Sequence, residues 1–301
     1  MRINDAADDF FLLLISLSLA ACRPNATLVP TIVPSQTPTA APEEIHTTTV
    51  IPTDSDVEHL EPGAQIWSLG GNGWALEING RLLVFDYVGR GESVPPVSGE
   101  VRNLEIGAIN TDELQAFDLY VFVTHSHQDH FDPVIFEWQQ QVENIEYFFG
   151  WGVGDNPEHH YMIGPRADAQ LDGMEVYTIN SHHSDVPEVA YLVKVDGVTI
   201  YHNGDYLASY LEDFEYLHTF TDHIDIAFVI GWPFVDHQHF QHAMRLSELF
   251  DPTCMFSIHR EGDEDKSRQF AELLAEHGVE ATVYYAENRG EDFICPIDAV
   301  E

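Results

Sequence analysis

The chain has 301 residues, 51 of them Asp or Glu and 12 Lys or Arg, for a formal net charge of −39. A surface of that sign repels phosphate backbones, which makes nucleic acid a poor partner. The simplest account of such acidity is solubility, with self-repulsion screened where salt is high. There are 17 His, enough that a chance pair carries no meaning and only a patterned group does.

In chain order, the first element is an apolar run from Phe10 to Ala21, broken by Ser16 and Ser18. It is too short to span a bilayer as a stable helix. It ends in Leu19-Ala20-Ala21-Cys22, which is similar to a bacterial lipoprotein cleavage box. Residues 1–21 are therefore expected to be a signal peptide, with Cys22 the lipidated first residue of the mature protein. The flanking charges fit less well, since Arg2 stands alone against Asp5, Asp8 and Asp9. Residues 22–60 are rich in Pro, Thr, Ser and Ala without periodicity, and read as an extended tether. The expected location is extracytoplasmic, anchored to the cell membrane through Cys22.

Residues 61–301 are enough for one large domain with a proper core. Strand-like apolar runs recur through it: Ala64 to Leu69, Trp74 to Ile78, Leu82 to Asp86, Leu119 to Val123, Ile145 to Phe149, Val176 to Ile179, Ala190 to Val195, Val198 to Tyr201, Ile226 to Ile230, Cys254 to Ile258 and Val279 to Tyr285. Gly70-Gly71-Asn72-Gly73 and Asn79-Gly80 are turn signals between the early strands. Helical stretches are fewer, at Pro133 to Gln141, Leu207 to Thr219, Gln241 to Leu249 and Lys266 to His277. Two packed sheets with helices outside accommodate this order.

The densest chemistry is Thr124-His125-Ser126-His127-Gln128-Asp129-His130, directly after the run Leu119 to Val123. Loops after strands are where such proteins place their chemistry. Imidazoles and a carboxylate at this density suit a borderline metal such as zinc. His125 and His127, two apart in extended chain, can converge on one ion, while Asp129 and His130 can serve a second.

This His-x-His-x-Asp-His pattern resembles the metallo-β-lactamase superfamily. The resemblance implies further ligands at later strand ends, and candidates stand in order: His182 or His183 after Met174 to Ser181, Asp205 in Gly204-Asp205, and His259 after Thr253 to Ile258. His182 fits the family's spacing better, and alternation along an extended chain points His183 the other way. The fold implied is an α/β (α+β) protein, the four-layer αββα sandwich. The chain looks closest to the branch similar to L-ascorbate-6-phosphate lactonases and N-acyl-phosphatidylethanolamine phospholipases. The segments carrying this are Asp196 to Asp205, Asp225 to Gly231 and Phe256 to His259. Ser257 and Tyr206 depart from that branch's usual residues and bear on the substrate pocket.

The resemblance implies two divalent ions, zinc first, with manganese and iron as alternatives. His125, His127 and His182 would hold one ion, and Asp129, His130, Asp205 and His259 the other. Asp205 would bridge the two, and Asp129 would also orient the attacking water. The implied activity is hydrolysis of a phosphoester, lactone or amide in a small molecule or lipid, by a hydroxide shared between the ions. The rival is a tethered metal- or solute-binding lipoprotein without turnover. His237, His239 and His242 read as a polar pocket rim, since only Asp236 is nearby to complete a third metal site. Phe148, Phe149, Trp151, Phe234 and Phe240 read as core before pocket. Cys254 and Cys295 read as buried small hydrophobes rather than a disulfide.

Overall fold

The computed structural model describes residues 63–89, 103–154, 159–163, 166–180, 185–206, 211–259 and 264–297. All lie in one compact unit, Val57–Glu301. The expected signal peptide, Cys22, the tether, and both His182 and His183 fall outside the described residues. Among the described residues no helix is long and apolar enough to cross a membrane.

Two seven-stranded sheets form the centre. The first runs from edge to edge as β14 (Asp292–Pro296), β1 (Gly63–Gly70), β2 (Gly73–Ile78), β3 (Arg81–Phe85), β4 (Asp118–Val123), β5 (Ile145–Phe149) and β6 (His160–Tyr161). The second runs as β13 (Thr282–Tyr284), β12 (Cys254–Ile258), β11 (Ile226–Ile230), β10 (Val198–His202), β9 (Val189–Val195), β8 (Met174–Asn180) and β7 (Asp168–Leu171). Strands β3 to β6 are mutually parallel, and so are β10 to β13. Within each parallel set the C-terminal ends therefore share one edge, where the loops after β4, β10 and β12 emerge.

Three apolar layers make this a four-layer αββα sandwich. Between the sheets lie Trp74, Phe85, Phe122, Phe148, Tyr191, Phe228 and Phe256. Outside the first sheet, Val84 and Val121 meet Leu114 of α1 (Thr111–Leu114) and Ile135 and Trp138 of α2 (Ile135–Trp138). Outside the second, Leu192 and Tyr201 meet helices α3 (Leu211–Leu217), α4 (Gln238–Phe250) and α5 (Glu264–Glu276) through Phe214, Phe240, Leu246 and Phe270. In β4, Phe122 faces inward while Val121 and Val123 face the helices. Both faces are covered, which is why that strand reads as an unbroken apolar run rather than an alternation.

The structure corrects several expectations. Cys254 and Cys295 form a disulfide, with Cα atoms 6.1 Å apart, linking β12 of one sheet to β14 of the other. Their apolar settings are real, since both lie in the intersheet core, but that setting brought them together. Strands β6, β7 and β14 carry no long apolar run. They lie at or beside sheet edges, where short and half-exposed sequences are normal. The helix expected over Pro133 to Gln141 is a single turn, Ile135–Trp138, flanked by further turns. Phe148, Phe149 and Phe240 are fully buried core residues, whereas Phe234 is exposed on the loop after β11.

Candidate metal centre

The loop after β4 begins at Thr124, whose carbonyl accepts from Val189 N–H at 3.3 Å. This ties the β4 end to the start of β9 in the other sheet. His125 and His127 then converge, with His125 Nε2 3.0 Å from His127 Nδ1. A tight turn, in which Phe131 N–H bonds the His127 carbonyl at 2.9 Å, returns the chain so that His130 also points inward. The His125 and His130 ring centroids lie 4.1 Å apart.

Asp205 comes from the other sheet, after β10. Its Oδ2 is 3.7 Å from His125 Nε2, and its Oδ1 is 3.1 Å from His130 Nε2 and 3.6 Å from His259 Nε2. Asp129 Oδ2 is 3.7 Å from His130 Nε2 and 3.6 Å from His259 Nε2. The ligand atoms form two groups, His125, His127 and Asp205, and Asp129, His130 and His259, each within 4.8 Å. His259 has φ +58, a left-handed conformation rare for a residue with a side chain, in the first position after β12. Strained backbone of this kind collects at functional sites.

The arrangement fits a pair of cations. Each group offers imidazole nitrogen and carboxylate oxygen, the donors that zinc, manganese and iron accept. Asp205 turns one oxygen toward each group. Electrostatics agree. Burial, reinforced by neighbouring His130, pushes His125 down to about 3, so its ring is neutral, the form in which an imidazole can ligate. Burial also opposes charge on His130, but the carboxylates of Asp86 and Asp205 override it and raise His130 well above its ordinary value. Asp205 is held far below the usual carboxylate range, because bonds to His130 and His259 outweigh its burial. The carboxylates thus favour positive charge on the His130 side, while burial keeps His125 neutral.

Supporting residues escaped the sequence reading. Asp86, fully buried at the end of β3 with φ +44, accepts from Thr124 N–H at 2.8 Å, from Thr124 Oγ1 at 2.8 Å, and bonds His130 Nδ1 at 2.7 Å. It sets the outer edge of that imidazole and leaves Nε2 facing the site. Asn72, in the β1–β2 turn, accepts from His259 N–H at 2.7 Å and reaches the Asp129 carbonyl at 3.2 Å. The turn signal was legible, but not that it carries a side chain into the site. A polar residue ending a buried apolar strand was the available clue for Asp86.

The second histidine group divides. His237 caps α4, its Nδ1 accepting from His239 N–H at 3.3 Å. His239 is buried beside Trp232, ring centroids 5.0 Å apart, and burial lowers it to about 4. Trp232 in turn donates to the His259 carbonyl at 3.3 Å. His242 is not at a rim: it is buried behind the second sheet, 3.1 Å from Tyr201 OH. The departures at 206 and 257 also face away from the site. Tyr206 OH donates to Asp213 at 2.6 Å and Ser257 Oγ to Ser267 at 2.9 Å, each at the outer helical layer.

The family model of the β-lactamase superfamily domain matches residues 65–259, which include every described ligand candidate. The chain belongs to the β-lactamase superfamily. Its sandwich is the metallo-β-lactamase fold, whose members bind divalent metals, and its enzyme class is metal-dependent hydrolase. Solved structures agree on the fold. Igni18, a metallo hydrolase from Ignicoccus hospitalis, is 16% identical with a TM-score of 0.52, over 77% of this chain and 98% of its own. An isothiocyanate hydrolase from Delia radicum gut bacteria is 17% identical with a TM-score of 0.52, over 77% and 99%. CmlA, a diiron β-hydroxylase from Streptomyces venezuelae, is 11% identical with a TM-score of 0.54, over 79% of this chain and 54% of its own. Curated protein sequences give no match.

Proposed function

We propose that this superfamily member hydrolyses a phosphoester, lactone or amide in a small molecule or lipid, using a pair of divalent ions, zinc first, with manganese or iron as alternatives. The observation that carries the reading is Asp205, with one oxygen toward each ligand group. His125, His127 and one of His182 or His183 would hold one ion; Asp129, His130 and His259 would hold the other; Asp205 would serve both. When bound, such ions supply Lewis acidity and activate water as the nucleophile.

The chain's own groups do the rest. Asp86 and Asn72 orient His130, Asp129 and His259. Asp129 is part-exposed, with 44% of its side chain accessible, so it can accept a hydrogen bond from an entering water. Trp232 and His239 wall the side next to His259. The branch similar to ascorbate-phosphate lactonases and N-acyl-phosphatidylethanolamine phospholipases directs the choice of substrate class. Nucleic acid is disfavoured by charge.

We also propose an extracytoplasmic location with an anchor at Cys22. The Cys254–Cys295 disulfide supports it, since such bonds persist in oxidising compartments. The test is metal analysis of the purified chain, then a screen of phosphodiester, lactone and amide substrates. Two ions per chain with turnover abolished by a chelator and restored by zinc are expected. Two ions without turnover on any class would instead mark a metal- or solute-binding lipoprotein, and no bound metal would end the dimetal reading.

A further inference from the structure

Glu188 stands immediately before β9, and its neighbour Val189 donates to the Thr124 carbonyl at 3.3 Å. The side chain of Glu188 is fully buried. Its Oε1 lies 3.3 Å from His125 Nδ1 and also accepts the backbone N–H of Asp205. One oxygen of one carboxylate thus meets a ligand residue from each sheet, His125 after β4 and Asp205 after β10. The approach is close enough to constrain the sequence. A Cβ at position 204 would lie 2.7 Å from that oxygen and 3.0 Å from Thr124 Cβ, and Gly204 has φ +55. Only glycine meets both conditions.

The bonding also sets the histidine. His125 Nδ1 faces Glu188 and, at 3.0 Å, Thr124 Oγ1, whose hydroxyl donates to Asp86. With acceptors on that side the ring proton sits on Nδ1. Nε2 is then the unprotonated ring nitrogen, and it faces His127 Nδ1 at 3.0 Å and Asp205 Oδ2 at 3.7 Å.

We propose that Glu188 is a positioning residue for the metal pair. It holds His125 in the ligating tautomer and Asp205 in the bridging orientation, so that ligands from two sheets act as one site. The proposal rests on the dimetal reading of these residues.

The purified chain, stripped of metal, is titrated with zinc against a chromophoric chelator, for wild type, Glu188→Ala and Glu188→Gln. Loss of an outer partner typically costs about 10–100-fold in metal affinity, and that is the loss expected for one of the two ions in Glu188→Ala. In Glu188→Gln the amide Oε1 still accepts both N–H groups, so affinity should stay close to wild type. Hydrogen exchange of the Asp205 amide, measured without metal, should accelerate in Glu188→Ala and stay slow in Glu188→Gln. Equal zinc affinities in wild type and Glu188→Ala overturn the proposal alone. A Gln variant as impaired as the Ala variant overturns positioning through hydrogen bonds. A wild-type chain that takes up no zinc overturns the dimetal reading, and the metal role of Glu188 with it.

Discussion

Asp205 lies within 3.7 Å of imidazole nitrogens from three loop positions, His125, His130 and His259. Replacing it with Ala leaves both ligand groups short of a carboxylate. The expected loss in kcat/KM is several kcal/mol, on the order of a thousandfold, as for removal of a catalytic metal's polarisation. His237→Ala or His239→Ala should cost about 1–3 kcal/mol, the range of a pocket contact. The measurement is kcat/KM on one substrate with metal content determined for each variant. An inactive His239→Ala enzyme with both ions bound, beside an active Asp205→Ala, would place the chemistry elsewhere. His242 belongs to a different class, because it packs behind the sheet against Tyr201 and Phe214.

His202 gives a pH prediction at the same scale. It is fully buried, stacked on Phe85 with centroids 5.0 Å apart, and its Nδ1 accepts from Gly204 N–H at 3.2 Å. Burial lowers it from 6.5 to about 4. Between these values the unfolded chain binds the proton that the folded one refuses. Stability therefore rises with pH across that window: the contribution is complete above 6.5 and is lost as pH falls toward 4. Its size is on the order of 3 kcal/mol at 1.36 kcal/mol per unit. His125 and His239, also lowered by burial, add to the same slope. Urea unfolding of metal-free protein at pH 4.5, 5.5 and 6.5 should show stability rising with pH, and His202→Gln should reduce that slope by its own share. An unchanged slope in the variant would assign the proton to another group.

At the scale of elements, the Cys254–Cys295 bond joins strands of two different sheets across a sequence separation of 41. Chain-entropy arguments value a loop of that length at about 4 kcal/mol. Cys295→Ala should lower the midpoint of thermal unfolding accordingly, and adding a reductant to the wild type should mimic it. Equal midpoints in all three samples would show the link to be energetically idle. Cys254 opens the strand that leads to His259, so metal content is worth following in the same variant. Element types were mostly legible in the sequence, since β5, β11 and β12 match their apolar runs residue for residue. The edge strand β7 was not. Its sequence Asp168–Leu171 has no apolar run, and its strand conformation comes from pairing with β8.

Over the whole molecule, 51 acidic against 12 basic residues leave a charge of −39 that must be tolerated. At low ionic strength like charges repel across the surface, and salt screens them within about 8–10 Å. Thermal stability should therefore rise from 0.02 to 1 M sodium chloride in chelator-treated protein, unlike a protein of balanced charge; a flat response would mean that the acidic groups are already neutralised locally. The anchor is a whole-molecule question too. Cys22→Ala should move the protein from the membrane fraction to the soluble one without altering the activity of the domain, and a native protein that retains Met1 would contradict the anchor.

The local pattern His125-x-His127-x-Asp129-His130, the strand ends that follow it and the order of the later candidates were all readable in one dimension. They depend on residue type, spacing and apolar runs, which are local properties. What only the tertiary structure decided is who meets whom. Asp86, Asn72 and Glu188 lie far from the motif in sequence. Asp86 joins it because parallel β3 and β4 end at one edge, Glu188 because antiparallel β9 starts where β10 ends, and Asn72 because the hairpin turn folds over the site. The disulfide, and the separation of buried His242 from His237 and His239, arose the same way. Long-range contacts of this kind leave no period or composition in the chain. They follow from packing two sheets face to face, and that packing sets which side chain points toward the site and which toward the core.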